Sequence, residues 1–321
     1  MSTLDSWDSW DSWDSWDSWD SWDSWNPQSR RSRGSMNVAA LARTRDHLVF
    51  GQTRRSSRPA GWPGGRAGSA LEDLGPRFRQ RVILSELLDG LRIDSGDDAI
   101  IQAHFSGEPV QPLPVPSAEQ FSAELSEVET AADLRAERAA EILSQLDFHP
   151  AFWANVLPLS PHRTPCTLEL MQILVGFASF AVQRVKVIAN LPRPHMMSPR
   201  IQPMVQTPAH STWPSGHATE AHLLAGALRN LVLPTLPADE TVWREELPRM
   251  LDALATRIAY NRVVAGIHFP SDGVAGKTLA TSVLLPRVMA LSAAAQEGRP
   301  ERTNHSFTWL WRKAAGEWTT A

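Results

Sequence analysis

Three short segments hold the residue types that could handle an oxyanion. The first runs from Lys186 to Arg193-Pro194, the second is Pro214-Ser215-Gly216-His217, and the third joins Asn261-Arg262 to His268 and Asp272. Together they offer three cations, a hydroxyl, backbone donors, two imidazoles and a carboxylate. A phosphate-like group needs this inventory: fixed positive charge, convergent N–H donors, and groups able to attack or to move a proton. A Pro-Ser-Gly turn opening a helix aims N–H groups and a hydroxyl at one spot, and the adjacent His217 can trade protons near neutral pH.

Taken singly, each residue has a plainer role. Lys186 and Arg193 suit the negative end of a helix, Asp272 suits the first turn after Ser271, and Ser215 suits an N-cap. A zinc site built from His210, His217, His222 and His268 is disfavoured. The chain has no HExxH pattern and one cysteine, Cys166, and His217 and His222 are five apart and do not share a helix face.

The elements that must position these residues read as helices. Apolar spacing predicts one from about Thr167 that stops at Leu191-Pro192-Arg193-Pro194, where two prolines forbid continuation. Ser215 opens another that ends before Pro234. A third spans about Val242 to Val264 with a break at Pro248, and a last one runs from Ser271 to about Ala293. Upstream, Glu72 to Arg92 reads as helix and Ile93 to Gly107 is ambiguous. The proline-rich run 109–116 reads as an extended connector. Ser117, with Glu119 and Gln120 placed like a capping box, starts a helical stretch reaching Leu146. With no convincing alternating strand, the expected fold is all-α, a helical bundle.

Bulk properties narrow the function. The chain of 321 residues has a net charge of −4, which argues against nucleic-acid binding, and its one cysteine excludes an internal disulfide. The longest apolar run, Leu170 to Val182, contains Gln172 and Ser179 and is flanked by Glu169 and Arg184. It reads as a buried core helix rather than a membrane span. A soluble, cytoplasmic protein without an integral membrane segment is expected.

Residues 5–25 are seven tandem Asp-Ser-Trp units, whose period of three matches neither strand nor helix. This stretch and the basic residues Arg30, Arg31 and Arg33 make 1–35 a disordered tail, serving either for interaction or as a repeat expansion without function. The apolar stretch that follows is too short for an export signal. Residues 36–116 read as an N-terminal helical and loop region, 117–295 as the catalytic domain, and 296–321 as a polar tail with exposed Trp309, Trp311 and Trp318.

The pattern Lys-x6-Arg-Pro, Pro-Ser-Gly-His, and Asn-Arg-x5-His-x3-Asp resembles the three-part signature of the type 2 phosphatidic acid phosphatase and vanadium haloperoxidase superfamily, over roughly 165–293. Asn261 stands where Ser is more usual. The resemblance implies a helical bundle in which Lys186, Arg193, Arg262, Ser215 and the Gly216 N–H hold the oxyanion. It also implies that His268 is the nucleophile, that Asp272 orients it, and that His217 protonates the leaving oxygen and then activates water.

As a phosphohydrolase the protein would act on a small phosphorylated substrate through a phosphohistidine, with no metal or other cofactor. As a haloperoxidase it would bind vanadate through His268 and use peroxide and halide. His210 matches a His of bromide-using members, whereas Gln183 replaces an aromatic residue common in haloperoxidases. The compact spacing between segments favours the phosphatase, a metal-independent phosphomonoester or pyrophosphate hydrolase. A non-enzymatic interaction protein built on the Asp-Ser-Trp tail is the reading from a different class. Self-association into a homo-oligomer is left open.

Overall fold

The computed structural model describes residues 71–319 apart from 73, 97–98, 147–149 and 294–305. The expected disordered tail 1–35, and residues 36–70 of the expected N-terminal region, lie outside the described residues. Helix α1 covers Pro76–Leu88, and three strands follow: β1 at Leu91–Ser95, β2 at Ile100–Phe105 and β3 at Gln111–Pro114. They form an antiparallel sheet in the order β1-β2-β3, with Leu91 opposite Phe105, Ile93 opposite Ala103 and Ile101 opposite Leu113. Those residues are all buried.

The sheet is an addition to the expected helical architecture. Its signal was hidden because the alternation is short and because Pro112 and Pro114, read as connector, sit in an edge strand, where a missing N–H is tolerated.

Helices α2 (Ala118–Ala131) and α3 (Arg135–Ser144) are separated by a single 3₁₀ turn, and α4 is a short turn at Ala151–Ala154. Ser117 caps α2 by accepting the Gln120 N–H. Helix α5, Pro165–Ala189, is the bundle's apolar axis: Leu170, Met171, Leu174, Phe177, Ala178, Ala181, Val182 and Val185 are all buried. The short α6 (Pro194–Met197) leads to α7 (Gly216–Val232), which packs against α5 and against α8 (Thr241–Val264). Pro248 does not break α8: the helix runs on through it, with Leu247 and Leu251 anchored in the core. Helix α9 (Pro270–Leu279) continues through a π-helical turn into α10 (Leu285–Ala293).

The expected exposed tail is corrected. Helix α11, Ser306–Gly316, docks on α5 and α1, with Phe307, Leu310 and Trp311 buried. Two carboxylates pin it from opposite ends. Glu86 accepts the N–H groups of Ser306 and Phe307 at 2.9 Å each. Glu317 accepts the N–H groups of Cys166 and Thr167 at 2.7 and 2.9 Å and the Thr167 hydroxyl at 2.7 Å, capping α5.

A second correction concerns location. Among the described residues, Pro165–Met197 (33 residues, mean hydropathy 1.5) and Pro270–Ala293 (24 residues, 1.2) are long and apolar enough to cross a membrane by length and composition. The expected cytoplasmic location is thereby corrected, and the expectations of a soluble protein and of no membrane-type segment are left without support. Isolated polar residues such as Gln172 and Ser179 end a run read residue by residue, but they do not lower the average of a long window rich in Leu, Ile, Val and Phe.

Candidate active site

Lys186 lies in the last turn of α5, which ends at Asn190 in the left-handed conformation. Its buried Nζ donates to the carbonyls of Ser211 and Thr212 at 2.8 and 3.4 Å and faces His210 Nδ1 at 3.1 Å. Arg193, equally buried, donates from Nη1 to Ile267 O at 2.9 Å and from Nε to the carbonyls of Pro208 and His210. Its Nη2 faces the same His210 Nδ1 at 3.2 Å. Lys and Arg can only donate, so toward them this nitrogen is an acceptor; it also lies 3.1 Å from the Ser211 carbonyl, which can only accept. The loop 208–212 is thus stitched between the first segment and the third.

Ser215 is the N-cap of α7, its Oγ facing the Ala218 N–H at 3.4 Å, while its own N–H donates to the Asp272 carbonyl at 2.9 Å. Gly216 is the first helical residue. This contact between the second and third segments needs close approach of α9. A Cβ placed on Gly276 would stand 2.7 Å from Ser215 O and 2.9 Å from the Ala218 Cβ.

His268 Nδ1 lies 2.7 Å from Asp272 Oδ2, which also accepts the Thr212 hydroxyl at 2.5 Å and the Phe269 N–H at 2.9 Å. A carboxylate oxygen facing Nδ1 makes that nitrogen the donor and leaves the lone pair of the neutral ring on Nε2. Burial first, then the charges of Lys186, Arg193 and Arg262, hold the His268 pKa well below its ordinary value. The ring is therefore neutral at physiological pH, with a nucleophilic nitrogen. That all three cations act on one imidazole also shows that the segments converge.

Arg262 is fully buried in the last turn of α8. Its Nη2 donates to Gln145 Oε1 at 2.9 Å and Ile142 O at 3.3 Å, while Nε and Nη1 are buried without a partner. Burial pulls its pKa down to about 10, so it stays charged at neutral pH. The turn from Arg262 to His268 is built on Gly266, whose φ of +76° suits glycine. There Arg262 O accepts from Ile267 N at 3.2 Å. Asn261 points to α3 instead of to the cations: its Nδ2 donates to Glu141 and Gln145, and its Oδ1 accepts from Arg138.

His217, on the first turn of α7, donates from Nε2 to the Gln145 carbonyl at 2.8 Å. Burial, then the neighbouring Arg262 charge, push its pKa down to about 3. His222, which also follows the Ser215 cap, is buried in α7, and burial lowers its pKa to about 4.

Three participants carried no signal in the sequence. Thr212 is a loop threonine with no distinguishing spacing, Gly276 is one glycine among eighteen, and Gln145 ends a helix 117 residues before its partner Arg262. Gly266 was legible in principle, as the glycine between two motif residues.

Residues 168–294 match the family model described as the PAP2 superfamily. No curated protein matches the chain. Among solved structures, the chain is similar to the first transmembrane PAP2 type phosphatidylglycerolphosphate phosphatase from Bacillus subtilis. The two are 13% identical, over 73% of this chain and 94% of that one, with a TM-score of 0.33.

Proposed function

We propose, from the match of residues 168–294 to the PAP2 superfamily model, that the protein hydrolyses a phosphate monoester through a phosphohistidine. The observation that carries this reading is Arg262: a buried guanidinium with Nε and Nη1 unpartnered is costly unless an anion satisfies it. Lys186, Arg193 and Arg262 supply the charge that stabilises the phosphoryl oxygens, so the chemistry asks for no resident metal.

In the first step the Nε2 lone pair of His268 attacks phosphorus and the P–O ester bond breaks. The departing oxygen takes a proton from the protonated His217 ring, which is left neutral. In the second step water attacks the phosphohistidine and gives its proton to His217. The P–N bond then breaks, releasing phosphate and restoring neutral His268, its Nδ1–H still donating to Asp272. Ser215 and the Gly216 N–H complete the cradle.

The test is phosphate release from an aryl phosphate by the full chain. Activity that is inhibited by orthovanadate and abolished in His268→Ala supports the reading, and wild-type turnover in that variant sinks it. Orthovanadate would sit on the same cations, with His268 as its ligand. The pointer to a haloperoxidase, His210, has its Nδ1 turned to Lys186 and Arg193, an arrangement that serves either activity. Peroxide-dependent bromination with vanadate, in the absence of phosphate release, would replace the hydrolase reading.

A further inference from the structure

Gln145 caps the C-terminus of α3, outside all three motif segments, and is 3% exposed. Its side-chain oxygen accepts from Arg262 Nη2 at 2.9 Å and from Asn261 Nδ2 at 3.0 Å. Its main-chain oxygen accepts from His217 Nε2 at 2.8 Å. The two oxygens of one residue therefore take a donor each from the cation and the acid that the proposed hydrolysis assigns to a phosphoryl oxygen and to the leaving oxygen.

Guanidinium geometry makes this occupancy consequential. A guanidinium grips an oxyanion through two parallel N–H groups, pairing Nη2 either with Nε or with Nη1. Both forks include Nη2. In Arg262 the two Nη2 protons are directed to Gln145 Oε1 and Ile142 O, while Nε and Nη1 stand idle. A bidentate grip requires Nη2 to leave Gln145. The proton that His217 carries on Nε2 must likewise leave the Gln145 carbonyl before that nitrogen can serve an ester oxygen. Asn261 acts as the latch: with Glu141 and Arg138 it ties this end of α3 to α8, which accounts for an amide at this position of the motif.

We propose that Gln145 is a surrogate for the substrate, a positioning residue whose two oxygens hold Arg262 and His217 until the oxygens of a phosphate ester displace them. This rests on the hydrolase reading above.

The experiment measures kcat and KM for an aryl phosphate, and inhibition by inorganic phosphate, in the full-length wild type, Gln145→Ala and Gln145→Glu, with thermal unfolding as a control. Loss of a competing acceptor in Gln145→Ala should lower KM and the phosphate inhibition constant about three- to tenfold. Gln145→Glu retains both oxygens and adds a carboxylate beside Arg262. It should raise both constants about tenfold or more near neutral pH, and the defect should shrink as acid protonates the new carboxylate. If Gln145→Ala fails to fold, Gln145→Glu decides alone.

Weaker phosphate binding in a folded Gln145→Ala, or unchanged binding in Gln145→Glu, overturns the exchange and makes Gln145 a fixed support, while wild-type hydrolysis and the His268→Ala result stand. Absence of phosphate release and of phosphate binding in the wild type removes the hydrolase reading and the exchange together.

Discussion

Asp272 Oδ2 sits 2.7 Å from His268 Nδ1 and accepts two further hydrogen bonds, from Thr212 and from the Phe269 backbone. One carboxylate oxygen therefore fixes the tautomer of the proposed nucleophile and ties it to the loop that leads to Ser215. Replacing Asp272 with Asn leaves two arrangements, and both impair the reaction. An amide oxygen kept in place loses the charge that stabilises the developing imidazolium, and a flipped amide offers a donor to Nδ1. We predict that Asp272→Asn lowers kcat by about 10²-fold or more, read by steady-state turnover and by loss of a rapid first-turnover burst. Unchanged turnover would show that Asp272 only supports the loop.

Acid should help the reaction and weaken the fold through the same histidine. His217 has a folded pKa of about 3 against an ordinary value of 6.5. Below 6.5 the unfolded chain takes up a proton that the folded protein refuses, so this contribution to stability is complete above 6.5 and is lost as pH falls toward 3. Thermal unfolding from pH 7 to pH 4 should show the decline, and His217→Gln should make it shallower, with His222 and His268 supplying the rest.

For activity the proton on His217 is needed, whereas burial and the charges of Lys186, Arg193 and Arg262 keep His268 neutral. The kcat/KM for an alkyl phosphate, a poor leaving group, should therefore rise as pH drops from 8 toward about 6, the value to which burial raises the Asp272 pKa. For an aryl phosphate it should change less, and His217→Ala should remove the difference between the two substrates. A preference for alkaline pH with alkyl phosphates would contradict the assignment of His217 as the acid.

Gly276 is where α9 touches the Ser215 turn, and the contact leaves no room for a methyl group. Ser215 O, Ala218 Cβ and Thr219 N would stand 2.7 to 3.1 Å from a Cβ at this position. Gly276→Ala should push α9 and the Ser215 turn apart, lowering stability by about 1–3 kcal/mol and kcat about tenfold or more. Gly273→Ala, on the same helix with nothing within 4 Å, is the control and should leave turnover unchanged. Because Gly→Ala by itself favours a helix, equal effects of the two substitutions would show that the contact at Gly276 does not set the activity.

Glu317 caps α5 at the end opposite Lys186. Glu317→Ala leaves the Cys166 and Thr167 N–H groups and a hydroxyl without their acceptor. It should cost about 1–2 kcal/mol, seen as a lower Tm, with KM unchanged. A Tm equal to wild type would mean that the docking of α11 depends on its buried apolar face alone.

The sequence by itself determined the helical segments around the motifs and the identity of the cations, imidazoles and carboxylate. Those features are written locally: apolar residues repeat at the helical period, Ser215 precedes an apolar run as an N-cap, and prolines mark where α5 must stop. Tertiary structure decided what depends on residues distant in the chain. It brought Thr212 to Asp272 across 60 positions and Gln145 to Arg262 across 117. It left two donors of Arg262 unpartnered, and it set both histidine pKa values through burial and neighbouring charge. It also turned an expected tail into a docked helix and a proline-rich connector into an edge strand. Side-chain hydrogen bonds between distant residues have no period in the sequence, and desolvation exists only once the chain has closed around a group.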